Sequence, residues 1–428
     1  MKIILLHYSA PPVVGGVESV LGQHARLMAD AGHAVAVVAG RGSQVDRRVP
    51  FLYLPLADSL HPEVLKVKAG LDRGVVPPEF EPLAAQLTAA LAQLIGDADV
   101  LIAHNVCSLH KNLALTAAIK NLFEAPHRAS LILWHHDLAW TTPRYRSELH
   151  PGSPWDLLRK PPAVAIHVAV SELRRDELAG LLGMPAAAIT VIPNGLDLGR
   201  FFKLEERTRQ LVERLDLLSA APILLLPVRI TPRKNIELAL RVLHELRKDY
   251  PSAVLVVTGP PGPHNPDNRR YLERLHRLRR ELGLSEAVHF LTDLGGDPST
   301  PFVPRTPAAR RCETAGSGQS LPDEVVADFY RLADLLFLPS REEGFGIPVL
   351  EAGLSGLPIF CADIPPLRAL ADGRAEFFSP EADPAVLAGR IARRLQADGS
   401  YRLRARVRQE YNWERIFAGQ IAPLLEAK

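Results

Sequence analysis

Ten short aliphatic runs, each leading into a longer amphipathic stretch, restrict this chain more than any other feature. The first five are IILL (3–6), HAVAVVA (33–39), DVLIAH (99–104), SLILWHH (130–136) and AVAIHVAVS (163–171). Runs of this length separated by helical patterns are the mark of parallel βαβ units, whose strands are buried on both faces. After VIPNGLD (191–197) the pattern restarts with PILLLPVR (222–229), SAVLVVTG (252–259), AVHFLT (287–292), ADLLFLPS (333–340) and LPIFCAD (357–363). Two doubly wound α/β domains in tandem are therefore expected, with a boundary near 198–220. Two segments break the rhythm: 57–82, poor in periodic apolar positions and carrying several prolines, and 293–322, rich in Gly, Pro, Ser and Thr. The second is expected to be a mobile excursion, because long structureless loops are uncommon inside a compact domain.

A chain of 428 residues, 47% hydrophobic and 23% charged, can bury cores of that size. Its formal charge is only +2, and residues 1–200 carry 18 basic against 18 acidic side chains. That balance disfavours nucleic acid as the main partner and strong docking to an anionic membrane. Cys107, Cys312 and Cys361 are few, odd in number and widely spaced, giving neither a disulfide framework nor a zinc motif. A cytoplasmic location fits. The opening MKIILLHYSAPP holds too short an apolar run for a leader or a spanning helix and reads as a first buried strand.

In parallel sheets ligands sit beyond the carboxyl ends of the strands, so the residues after each run are the candidates. The first strand leads to Gly15 and Gly16 at a helix start, where backbone amides could approach a diphosphate or a sugar. A plain strand-to-helix turn explains the same residues. SLILWHH ends in His135, His136 and Asp137, and a His there could bond a sugar hydroxyl or carry a proton. PILLLPVRITPRKN places Arg229 at a strand end and Lys234 at the next helix start. Two cations there oppose the helix dipole unless an anion lies between them.

ADLLFLPS runs into REEGFG, and Pro348 suits the first turn of the following helix, which carries Glu351. Gly344 and Gly346, with Phe345 between them, let amides face a ligand. Glu343 precedes the turn. A carboxylate only accepts hydrogen bonds, so Glu351 could grip adjacent ribose hydroxyls. Either acid alone is better read as a dipole-favoured charge, and their combination with Arg229 and Lys234 points to a ligand; Glu342 is read as a solvated neighbour. The sole DxD, Asp97–Asp99, precedes a strand, so it lies at the wrong end of the sheet and reads as a solvated turn.

With these residues in place the chain resembles a retaining glycosyltransferase of the GT-B fold, family four (glycosyl transferases group 1). PSREEGFGIPVLEA matches the family's paired acids, VRITPRKN its Arg and Lys, GGVE its glycine turn, and His136–Asp137 its HD; VIPNGLD also resembles a family segment. The resemblance implies two Rossmann-like domains facing across a cleft. Residues 1–198 would form the acceptor side, 199–404 the donor side, and 405–428 a helix crossing back to the first domain. It implies donor binding by Gly15, Gly16, Arg229, Lys234, Glu343, Gly344, Phe345, Gly346 and Glu351. Catalytic roles fall on His136, Arg229, Lys234 and Glu343, with no metal and no cofactor.

The implied reaction transfers a hexose, glucose or mannose, from a nucleotide diphosphate sugar (UDP, GDP or ADP) to an acceptor hydroxyl with retention. The acceptor, whether small molecule, glycan or lipid-linked, is left open, as is a homodimer. The competing readings are a nucleotide-sugar epimerase or glycan phosphorylase of the same architecture, and a catalytically silent nucleotide-sugar-binding regulator. A dinucleotide dehydrogenase has little support, since no GxGxxG follows a strand with an acid at the right distance.

Overall fold

The computed structural model describes residues 1–124, 127–263, 265–294 and 321–426. The expected excursion at 293–322 lies almost wholly outside the described residues, as does Cys312. The chain divides into two compact units, Met1–Gly195 with Trp413–Lys428, and Leu196–Asn412.

In the first unit seven parallel strands are ordered β3-β2-β1-β4-β5-β6-β7: β1 Lys2–Leu6, β2 Ala34–Ala39, β3 Phe51–Tyr53, β4 Val100–His104, β5 Ser130–His135, β6 Ile166–Ala169 and β7 Ile189–Val191. The central β1 and β4 are buried almost throughout, as unbroken aliphatic sequence requires. Two cores flank the sheet, one around Leu83, Leu87, Leu91 and Leu131, the other around Ile3, Leu5, Met28 and Trp134. Trp413, Ile416, Ile421 and Leu425 complete the second of these, so the returning segment starts at Trp413 and not at 405. The helix Gly399–Glu410 stays with the second unit.

Residues 57–82, which break the rhythm of the sequence, are largely helical. Pro62–Leu71 is a helix with Pro at its first turn and Val64, Val67 and Leu71 buried, and a second helix begins at Phe80. Proline is tolerated at the first helical position because its missing N–H would have had no intrahelical partner.

In the second unit six parallel strands are ordered β10-β9-β8-β11-β12-β13: β8 Ile223–Leu226, β9 Val254–Val257, β10 Val288–Phe290, β11 Leu335–Leu338, β12 Ile359–Ala362 and β13 Glu376–Phe378. One continuous core surrounds this sheet. The chain thus carries the two Rossmann-like units expected of it, each strand order reversing beside its first strand: β1 against β4, and β8 against β11. At such a switch point successive connections leave in opposite directions and open a crevice at the carboxyl ends of the strands.

An ion pair sits inside the second unit. Arg408 Nη2 donates to Asp334 Oδ2 at 2.5 Å, both side chains being sealed from solvent, and the same oxygen accepts from Ile223 N at 2.8 Å. The pair pins the Gly399–Glu410 helix to the start of both β8 and β11. Arg408→Ala leaves the sealed Asp334 with only the longer contact to Arg404 Nε, 3.9 Å from Oδ1, and is expected to cost toward the lower end of about 3–5 kcal/mol. Urea unfolding of the variant measures this; a loss below about 1 kcal/mol would show that solvent reaches the carboxylate.

Candidate active site

The switch point of the second unit gathers most of the sequence candidates. After β8 the chain passes Arg229, then makes a turn at Pro232–Lys234, and Asn235 with φ 52° opens the helix Ile236–Leu246. Arg229 is solvent-exposed, and among the described residues its guanidinium has no partner. Its backbone is held close to the loop after β9: Ile230 N donates to Pro260 O at 2.9 Å. Gly259 makes this approach possible, since a Cβ there would lie 2.3 Å from Val228 O.

The loop after β11 lies against that turn, with Arg341 N donating to Arg233 O at 2.8 Å. Lys234 Nζ donates to Glu343 Oε1 at 2.5 Å, and Ser340 Oγ donates to the same oxygen at 2.7 Å. Side-chain exposures of only 10% and 8% mean that water screens this pair weakly. The anion demanded by Lys234 at a helix start is thus present in the protein itself, as Glu343. The ammonium has three donors and spends one on Glu343. Among the described residues Glu343 Oε2 accepts from no protein group. The arrangement can therefore take an incoming anion on Lys234 and a hydroxyl on Glu343 together.

Gly344 and the exposed Phe345 follow, then Gly346 at φ 103°, where a Cβ would stand 2.5 Å from Leu367 Cδ2. Only glycine fits that position. The helix Ile347–Leu354 starts there, with Pro348 in its first turn. Glu351 lies on its solvent side and accepts from the buried Tyr330 OH through Oε2 at 2.5 Å. Glu342 is exposed, and its carbonyl receives only a long contact of 3.5 Å from Arg233 Nη1.

The first unit carries the remaining candidates. Gly15 is extended and precedes the helix Gly16–Asp30. A Cβ on Gly15 would fall 2.0 Å from Glu18 Oε2, and Glu18 Oε1 accepts from Ser9 Oγ at 2.6 Å. A carboxylate of the chain therefore covers the helix start expected to offer amides to a diphosphate, which its dipole favours. Gly16 has open space around it.

His136 directly follows β5. Its N–H and that of Asp137 both donate to Asn105 Oδ1, at 2.8 and 3.1 Å. Asn105 sits at φ 59° after β4, a conformation that Asn tolerates better than most side chains. His136 Nε2 lies 3.1 Å from His104 Nδ1, and burial pushes its pKa down to about 3. It is a neutral ring at ordinary pH and offers a hydrogen bond more readily than a transferable proton.

Asn105, His104, Ser340 and Tyr330 were not among the sequence candidates. Ser340 stands three residues before Glu343 and Asn105 directly after a strand run, so position alone could have flagged them; nothing in the sequence marks Tyr330.

Among the described residues Asp72, His110 and Glu148 form the one His/Cys/Asp/Glu group whose ligand atoms lie within 4.8 Å of one another. Lys68 Nζ already stands 2.6 Å from Asp72 and 2.8 Å from Glu148. Its hydrogen bond draws the Glu148 carboxyl down to about 2, so the place of a cation is taken. Asp97 and Asp99 pair with Lys2 and Arg128 at the amino end of the sheet. No described helix is long and apolar enough to cross a membrane.

Two doubly wound units, one bearing Arg229, Lys234 and a glycine turn at its switch point, define a two-unit α/β protein of the Rossmann-like class. Family models agree with that class. Glycosyltransferase Family 4 matches residues 14–200, and two models of Glycosyl transferases group 1 match 210–299 and 309–397. The chain is thus similar to glycosyltransferases in both of its Rossmann-like units.

Among curated relatives, D-inositol 3-phosphate glycosyltransferase 2 of Catenulispora acidiphila is 29% identical over 54% of this chain and 48% of its own. Mannosylglucosylglycerate synthase of Petrotoga mobilis is 27% identical over 63% of this chain and 60% of its own. A GDP-mannose-dependent phosphatidylinositol monomannoside mannosyltransferase of Mycolicibacterium smegmatis is 28% identical over 44% and 42%. The chain spans about half the length of the curated relatives it matches. Sucrose-phosphate synthase of Thermosynechococcus elongatus overlaps all of the chain and 99% of its own at 18% identity and TM-score 0.38. Anabaena HepE in complex with UDP overlaps all of both chains at 18% and 0.35.

Burial sets a pH dependence. His24 and His136 are held near 3 in the folded chain, while unfolded histidine titrates near 6.5. Between these values the unfolded state binds more protons, so stability is retained above about 6.5 and lost as pH falls. Urea midpoints at about pH 7.5 and about pH 5 should differ, at roughly 1.4 kcal/mol per histidine per unit. Equal midpoints would show that the rings protonate while folded.

Proposed function

We propose that the chain transfers a hexose, glucose or mannose, from a nucleotide diphosphate sugar to an acceptor hydroxyl with retention at the anomeric carbon. One observation carries this reading: Lys234, Glu343 and Ser340 are bonded together beside the exposed Arg229 and the Gly344–Gly346 turn, on the two adjacent strand ends β8 and β11. A departing diphosphate needs charge stabilisation more than a strong base. Arg229, Lys234 and the amides of the glycine turn would supply it. Glu343, anchored through one oxygen, would orient the hexose with the other. Glu351, on the next helix, would hold the ribose.

In the first unit His136 is proposed to act as a neutral hydrogen-bonding group toward a sugar hydroxyl, and the Gly15–Gly16 turn to contact the donor if Glu18 moves. That unit is assigned to the acceptor side and Leu196–Asn412 to the donor. The acceptor is open among small molecules, glycans and lipid-linked sugars. No metal enters the proposed chemistry, and a cytoplasmic location remains part of the proposal. The relative named as a GDP-mannose-dependent mannosyltransferase supports a hexosyl donor, while the D-inositol 3-phosphate glycosyltransferases name no donor sugar, so glucose and mannose both stay open.

Two outcomes test the reading. Lys234→Ala is expected to cut turnover by about 10²-fold or more, if it stabilises the leaving diphosphate. A near-normal rate in a folded variant, measured by release of nucleoside diphosphate, would remove Lys234 from the mechanism. Glu351→Ala should weaken nucleotide-sugar binding more than it slows bound-state turnover; unchanged affinity in calorimetry would sink the ribose assignment. Donor consumption with no acceptor product would instead favour the epimerase reading.

A further inference from the structure

We propose that Tyr330 is the positioning residue that makes Glu351 selective for a ribose bearing both of its hydroxyls. The inference rests on the reading of Glu351 as the ribose group and extends it to a residue without an assigned role.

Tyr330 belongs to the helix Asp323–Leu332, and its ring is packed in the core of the second unit at 3% exposure. Only its hydroxyl leaves that core, and it ends 2.5 Å from Glu351 Oε2. Burial, then the hydrogen bond to Glu351, drives the phenol well above its ordinary range, so it stays protonated and donates. Glu351 itself stands on the exposed side of Ile347–Leu354, where nothing else described holds its carboxylate. A free glutamate there would sample several rotamers. Bonded to a phenol rooted in the core, it keeps one.

The carboxylate offers two oxygens, and the phenol engages Oε2. Oε1 is left with its lone pairs in a fixed place, suited to two adjacent hydroxyls more than to one. A hydrogen bond from a neutral donor to a charged acceptor is short and strong, so the fixing should be firm. The ligand class is therefore a nucleoside diphosphate, or its sugar, with intact 2′- and 3′-hydroxyls.

The test uses the full chain, with whichever of UDP, GDP or ADP binds it, and the 2′-deoxy counterpart of that nucleotide. Tyr330→Phe keeps the ring in the core and removes only the hydroxyl. It should raise the Kd for the ribonucleotide roughly fivefold or more, barely change that for the deoxynucleotide, and so shrink the ratio between them. KM for the nucleotide sugar should rise with kcat nearly unchanged, and Tyr330→Phe should add nothing in a Glu351→Ala background.

If Glu351→Ala lowers affinity and the ratio while Tyr330→Phe alters neither, the positioning role is overturned and the ribose reading stands. Should Glu351→Ala leave both unaltered, the ribose reading fails and this inference fails with it. Equal weakening of ribo- and deoxynucleotide by Tyr330→Phe would mark a merely structural residue and also overturn the proposal.

Discussion

Strands buried on both faces leave a parallel sheet almost no place for chemistry except its ends. Side chains within β8 and β11 are committed to the core, so every ionisable group of use must come from the segments that leave them. Because β8 and β11 are neighbours while their connections depart in opposite directions, those segments are brought side by side without covering one another. Arg229, Lys234, Ser340, Glu343 and the glycine turn owe their proximity to that single topological fact. The same constraint in the first unit puts His104, Asn105 and His136 at adjacent ends of β4 and β5.

What the constraint does not decide is how those groups are tuned. Lys234 and Glu343, nearly shielded from water, would each be costly alone; together, with Ser340 on the shared oxygen, they are compensated. The pair resolves within the protein itself the electrostatic conflict of cations at a helix start. It also leaves each partner with unused hydrogen-bonding capacity, and a ligand can be added to the pair without breaking it.

Much of this was legible in the sequence because the strand signal is strong. All ten aliphatic runs became strands, whereas β3, β7 and β13, at sheet edges, were not singled out as runs. Pro62, one of the prolines in the segment 57–82 that breaks the sequence rhythm, proved to start a helix. The cations and acids could be singled out, since each follows a run. Their mutual bonds could not, because Lys234 and Glu343 stand 109 positions apart and only the sheet brings them together. His136 was visible, but its neutrality depends on burial among His24, His7 and His104, which no local pattern reports.

The core around Ile3, Leu5 and Trp134 is finished by Trp413, Ile416, Ile421 and Leu425, from the last few residues of the chain. The second unit is interposed as a closed block, its entry and exit paired where Leu196 N donates to Tyr411 O at 2.7 Å. During synthesis all of Leu196–Asn412 is therefore made while the first unit still lacks part of its interior. Domains ordinarily mature in the order they leave the ribosome. Here the block that begins second is complete first, and the half that begins the chain waits for its last turn of helix.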